Sequence, residues 1–283
     1  MTQLIRLLLG LLLLCLVPYS LEAQFMRLYT LDYTSEVFSD AKQTTDGGYI
    51  ALGDGYDYTP GQVTAYRKMF LIKTDAVGDT LWTQHFDQAD LDSLDYRTAR
   101  VLQTSDGGYL VMANQTKEEW GLPDTTQVVL VRTNPSGSIL WSRTYLLDYQ
   151  TNWATDLIQS QDGGFVFAGS KTNAVEYFLY KVDAQGDSIW STSWASPYRA
   201  SIHAIVPTAD GGFTLGGWVD EDTLNPQTNN LRMYLRHFDS FGNQVWYQRY
   251  GVFSQDFLVM DMNLSASGKY AFALINNDTL GGP

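Results

Sequence analysis

The sequence predicts an all-β fold, a β-propeller of four-stranded antiparallel blades, and three observations predict it. Two short motifs recur in step, the segments between them alternate with the period of strands, and no stretch of the mature chain carries a helical period. The first motif is an aspartate followed by two glycines: TTDGGYI at 44–50, TSDGGYL at 104–110, SQDGGFV at 160–166 and TADGGFT at 208–214, with SASGKYA at 265–271 as a degraded fifth copy. Its aspartates, at 46, 106, 162 and 210, step by 60, 56 and 48 residues. The second motif reads TDAVGDTLW at 74–82, TNPSGSILW at 133–141, VDAQGDSIW at 182–190 and FDSFGNQVW at 238–246, its tryptophans stepping by 59, 49 and 56. Two markers that advance together define a repeating unit of roughly fifty residues, the length of a propeller blade.

Each unit divides into four strands. In the second, ARVLQT (99–104) runs into the Asp106-Gly107-Gly108 turn, where glycine supplies the positive φ that a tight hairpin needs. YLVMAN (109–114) returns, and VVLVRT (128–133) is almost continuously apolar, as suits a strand covered on both faces. NPSG (134–137) turns the chain with Gly137 in the left-handed position, and SILWSRTY (138–145) closes the blade. On that last strand the tryptophan has an aromatic same-face neighbour four residues on: Trp82/Phe86, Trp141/Tyr145, Trp190/Trp194 and Trp246/Tyr250. A ring pair repeated once per blade is expected to wedge adjacent blades together, each ring burying ~150–250 Å².

The ends are atypical. FMRLYTLDY (25–33) aligns with WSRTYLLDY (141–149), so the mature chain is expected to open with an orphan fourth strand. It closes with only the first two strands of a fifth unit, near Phe257–Leu264 and Tyr270–Ile275. Four complete blades plus partial blades at both ends are expected to be part of a ring of six to eight blades continued in a longer chain, or else to close in an unusual way. Ahead of this, residues 1–23 read as a signal peptide: Arg6, then an apolar run over Leu7–Val17, then Ala23 as the small residue at the cleavage point. Residues 24–283 are expected to form a single propeller domain. Cleavage removes Cys15, the only cysteine, leaving no thiol for a disulfide, a nucleophile or a metal. The expected location is outside the cell or on its surface, with no membrane span after cleavage.

Apolar residues make up 45% of the chain and charged residues 17%, enough for a packed core. The formal net charge of −13 repels phosphate backbones, which excludes nucleic acid as the natural partner.

The pattern Asp-Ala-x-Gly-x-x-x-Trp, present as Asp75, Ala76, Gly78, Trp82 and again as Asp183, Ala184, Gly186, Trp190, resembles the tryptophan-docking motif of quinoprotein-type (PQQ-like) propellers. Together with Asp-Gly-Gly-Tyr it is similar to repeat propellers of secreted and surface proteins of bacteria. The resemblance implies the fold. It does not imply the quinone, because the quinone-binding members add a cysteine pair and a calcium site, and this mature chain has no cysteine. No cofactor is expected.

Candidate chemistry is sparse. The long connections at 53–68, 115–127, 170–176 and 218–230 fall on the face opposite the tight turns, where Tyr56, Tyr58, Tyr66, Trp120 and Trp218 would offer stacking platforms. Asp87, Asp90, Asp92 and Asp95 share one acidic loop and DED (220–222) forms another, but neither has the spacing of a calcium loop. Asp40, Arg100, Asp156 and Asp261 stand six residues before the turn position, with Ala204 in the fourth blade, and are expected to line a polar channel. His85, His203 and His237 occupy different strand positions, so no ligand or nucleophile–base spacing arises; His237 takes the register of Lys73, Arg132 and Lys181. No catalytic, cofactor-binding or metal residue is assigned, and ligand-binding residues stay unassigned. The sequence favours a secreted or cell-surface, non-catalytic propeller, a binding or adhesion scaffold for protein or glycan. The alternatives are an exported carbohydrate-active or other hydrolytic enzyme with its acids on the long-loop face, since paired carboxylates come from distant loops, and a spacer within a larger surface protein.

Overall fold

Each predicted unit folds into its own sheet. The computed structural model describes residues 27–29, 31, 35–56, 67–86, 96–117, 125–145, 152–171, 176–220, 231–251 and 257–276. The first sheet holds β1 (Ser35–Gln43), β2 (Tyr49–Tyr56), β3 (Lys68–Thr74) and β4 (Thr80–His85). The second holds β5 (Tyr96–Gln103), β6 (Tyr109–Lys117), β7 (Thr125–Thr133) and β8 (Ile139–Tyr145). The third holds β9 (Asn152–Gln159), β10 (Phe165–Lys171), β11 (Glu176–Val182) and β12 (Ser188–Ala195). The fourth holds β13 (Arg199–Pro207), β14 (Phe213–Asp220), β15 (Leu231–Phe238) and β16 (Gln244–Tyr250), and a two-stranded fifth holds β17 (Phe257–Leu264) and β18 (Tyr270–Asn276). Strand order within each four-stranded sheet follows the chain and every pairing is antiparallel. There is no helix among the described residues, and none long and apolar enough to cross a membrane. The signal segment 1–23 lies outside the described residues.

The Asp-Gly-Gly motif is explained by what crosses it. In the first blade the Gly47 N–H donates to Thr44 O at 2.9 Å and the Thr44 N–H to Gly48 O at 2.9 Å, a three-residue loop with Gly47 at φ +84°. The second glycine has a different task. A β-carbon at Gly48 would sit 2.1 Å from Thr74 O and 2.7 Å from Lys73 Nζ, so the bare backbone lets Lys73 reach Asp46, 2.8 Å away. The same brace recurs as Arg132–Asp106, Lys181–Asp162 and His237–Asp210, the last at 2.9 Å. All four basic side chains are buried under the turn. His237 is therefore the local basic residue of its blade, as its register predicts.

The tryptophan motif joins neighbours. A β-carbon at Gly137, Gly186 or Gly242 would lie 2.8, 3.0 or 2.9 Å from the indole of Trp82, Trp141 or Trp190, in each case the preceding blade's tryptophan. The turn glycine thus serves as the seat for the indole of the blade before it. Trp82 meets Tyr109 of the second blade at 5.8 Å between ring centres, and Trp190 stacks on Phe213 of the fourth at 6.1 Å. Trp141 also donates its ring N–H to Ala184 O at 3.1 Å. The apolar core is accordingly divided: each cluster draws on two successive sheets, as when Leu52 and Leu71 of the first blade pack with Val111 and Val131 of the second.

Arg27, Leu28, Tyr29 and Leu31, described at the N-terminal end, form no strand, yet Tyr29 makes the contact that a fourth strand makes elsewhere. Its hydroxyl donates to Gly78 O at 2.8 Å, as Tyr145 of β8 donates to Gly186 O at 2.7 Å. The remainder of the expected orphan strand lies outside the described residues. Because the Tyr145 hydroxyl is buried, Tyr145→Phe should lower stability by about 1 kcal/mol through the one lost bond, read as a shift in urea midpoint at unchanged m-value.

Candidate functional site

The first strands β1, β5, β9, β13 and β17 lie beside one another in succession, which makes them the innermost strands of their blades. Each carries a bulge. The register jumps between Phe38 and Asp40, Arg97 and Arg100, Ala154 and Asp156, Ile202 and Ala204, and Val259 and Asp261. A bulge bends its strand and re-aims the next side chain. Here it does so at the register position of Asp40, Arg100, Asp156, Ala204 and Asp261. Opposite three of the bulges stand Gly53, Gly169 and Gly217, where a β-carbon would fall 2.7 Å or less from a backbone oxygen of the inner strand: Val37 O at 2.7 Å, Trp153 O at 2.0 Å and Ser201 O at 1.9 Å.

The result is a cavity of about 400 Å³ at the centre of the blades, into which Asp40, Lys42, Arg100, Asp156, His203 and Asp261 all project. The predicted channel residues are thus brought together, on β1, β5, β9 and β17. Two of them also fasten blades. The Val101 N–H donates to Asp40 Oδ2 at 3.0 Å, and the Ile205 N–H to Asp156 Oδ2 at 2.9 Å, each bond running from one inner strand to the next. The Arg100 guanidinium lies 3.9 Å from Asp156 Oδ1, and Lys42 lies 3.5 Å from Asp40 Oδ1.

Asp156 is the chemically distinct member. Burial pushes its carboxyl up to about 6, against the downward pull of N–H donors from Ile205 and Leu157 and of the Arg100 and Lys42 charges. About a fifth of its side chain faces the cavity, so the group is open to a reactant. A carboxyl poised near neutrality, in a cleft shared with other carboxyls, has the character of a general acid. His203, on the bulge of β13, is held below its usual range by burial and by the Arg100 charge, and its Nε2 has no hydrogen-bond partner among the described residues. Sequence reasoning placed His203 on a first strand without giving it to the site, and it missed Lys42.

Other candidates separate. His85 lies on β4, where its ring is 6.3 Å from Phe70, and His237 is committed to its turn brace. Among the described residues, no group of three or more His, Cys, Asp or Glu could hold a metal ion. Of the proposed stacking platforms, Tyr56 lies under the Arg67 guanidinium at 5.4 Å and Trp218 is half-buried on β14. Tyr58, Tyr66 and Trp120 lie outside the described residues, as do Asp87, Asp90, Asp92 and Asp95.

No protein-family model matches the sequence, and no curated protein matches it either. Among solved structures, the chain is similar to the α-L-arabinanase of Penicillium chrysogenum complexed with arabinobiose, with a TM-score of 0.54 and 12% identity over 86% of this chain and 78% of that one. It is also similar to an endo-arabinase from Bacteroides thetaiotaomicron, with a TM-score of 0.46 and 10% identity over 80% and 84%. At such identities the likeness shows the β-propeller fold. The non-catalytic scaffold favoured by the sequence is corrected at this point. The structure matched at a TM-score of 0.54 is an arabinanase, which runs against the adhesion reading. The physical reason for the misreading is that strand spacing shows a polar residue but does not show the burial that raises the pKa of Asp156.

Proposed function

We propose that this chain is an exported carbohydrate-active hydrolase that cleaves glycosidic bonds in the central cavity. The observation that carries the reading is Asp156, a carboxyl raised to about 6 by burial, in a cavity it shares with the carboxyls of Asp40 and Asp261. Glycoside hydrolysis needs that pairing: one carboxylic acid protonates the leaving oxygen while a second carboxylate acts as base or nucleophile at the sugar carbon. Asp156 takes the first role. Asp40, fixed by the Val101 and Ala41 N–H groups, takes the second. Arg100 and Lys42 offer donors for sugar hydroxyls beside the two acids. The fold shared with an arabinanase supports the class, and residues 1–23 support export. The likeness to quinoprotein-type blades adds no quinone, because its tryptophans are the ones seated against neighbouring turns.

The test is release of reducing sugar from arabinan, xylan and β-glucan, and of nitrophenol from aryl glycosides, by the mature chain between pH 4 and 8. Release from at least one is expected. No release above buffer from any of them across that range would remove the reading.

A further inference from the structure

A second cleft lies away from the central cavity, between the third and fourth blades on the side of the tight turns. It encloses about 460 Å³, within the range of small-molecule sites. One wall is apolar: Phe241 at the tip of the β15–β16 turn, with Ile189 and Trp190 of β12. The other is polar: Gln161, Asp162 and Asp210, from the turns of two blades. Phe241 is 77% exposed, which is unusual for a ring that packs nothing in its own blade. Its backbone N–H is spent on Asp239 Oδ1 at 2.9 Å, so the turn is fixed and the ring is held out over the cleft. The floor is fixed too, because Lys181, nearly buried, is locked onto Asp162. The equivalent cleft between the second and third blades has the same parts, Asp106, Arg132, Leu140 and Trp141, but Gln185 stands where Phe241 would be. The fold therefore supplies an internal comparison that lacks the aromatic, with Ser105, Arg132 and Leu140 in the places of Gln161, Lys181 and Ile189.

We propose that the Phe241 cleft is an accessory site that holds a sugar unit of the polymer whose bonds the central cavity cleaves. A sugar ring has an apolar face of C–H groups and an edge of hydroxyls. The first matches Phe241 and Ile189, and the second matches carboxylate acceptors on Asp162 and Asp210 with the Gln161 amide beside them. The choice of a sugar rests on the hydrolase reading, while the existence of the site rests on the cleft itself.

The full mature chain, run in native gels containing arabinan, xylan or β-glucan, tests it by binding instead of turnover. Wild type is expected to be retarded in at least one gel. Phe241→Gln, which copies the neighbouring cleft, should weaken that retardation at least tenfold at unchanged melting temperature, whereas Asp156→Asn should leave it in place. Absence of retardation in all three gels, or equal retardation of wild type and Phe241→Gln, overturns the site. Retardation that depends on Phe241 without any hydrolysis would uphold the site and sink the catalytic reading alone.

Discussion

Asp156→Asn should reduce hydrolysis by a factor of roughly 10²–10⁴, the usual worth of a positioned general acid. The substitution keeps the shape, and the amide oxygen can still accept the Ile205 N–H, so the inner strands stay joined. What disappears is the proton. The pH profile carries the same information with a definite sign. The Asp156 carboxyl is raised to about 6, so its acidic form prevails below that value, and wild-type kcat/KM should fall about tenfold per unit as pH rises past about 6. Stability moves in the same sense. A raised pKa means that the folded state binds the proton more tightly than the unfolded chain does, so its contribution is present at pH below about 4 and is lost as pH climbs through about 6. Asp156→Asn has no carboxylate to bury. At pH 7 it should match or exceed wild type in stability, by as much as 1–3 kcal/mol on the order of the shift, and the advantage should vanish near pH 4. Urea titrations at the two pH values decide the matter. A variant less stable than wild type at pH 7 would contradict the assigned protonation.

Gly169→Ala is expected to be the most damaging single methyl. The added β-carbon would lie 2.0 Å from Trp153 O, 2.7 Å from Ala154 Cα and 2.7 Å from a ring carbon of Phe178. Two of those atoms are backbone, and the ring belongs to the buried core between the second and third blades, so nothing can yield cheaply. Overpacking of this kind costs about 3 kcal/mol or more, or a fall of about 10 °C in Tm for a domain of this size. Gly163→Ala is the matched control. Gly163, unlike Gly169, has a positive φ, +83°, and its β-carbon would meet nothing within 4 Å. It should lose only about 1–2 kcal/mol of left-handed strain. Gly169 has a second importance, since it faces the bulge at Thr155 that aims Asp156 into the cavity. Activity in Gly169→Ala should therefore fall below what the loss of folded protein accounts for.

The blades were legible in the sequence because their markers are obligations of the backbone. A turn that seats an indole must have glycine at 137, 186 and 242, and a turn crossed by Lys73 must have glycine at 48, so the chain repeats those residues. Counting from the same markers also found Asp40, Arg100, Asp156 and Asp261 as one register. Three features of the site escaped the reading. The bulges add a residue without changing composition, although Gly53, Gly169 and Gly217, each seven residues after its turn aspartate, were a signal for them. The pKa of Asp156 depends on three-dimensional burial, which no spacing reports. His203 and Lys42 belong to the site through the ring arrangement alone, one from the bulge itself and the other two residues past Asp40. The functional preference suffered from the same cause: a channel lining and a carboxyl raised by burial look alike in one dimension.

The division of the apolar core has a mechanical corollary. Every seam is fastened only by the two wedges that meet at it, so damage at one seam reaches distant ones through nearest neighbours, much as in linear repeat arrays. The seam joining the fourth and fifth wedges has four buried members among the described residues, Ala204, Val206, Leu235 and Met262, where the first two have eleven each. Asp40 and Asp156 stand on blades joined through those two larger clusters.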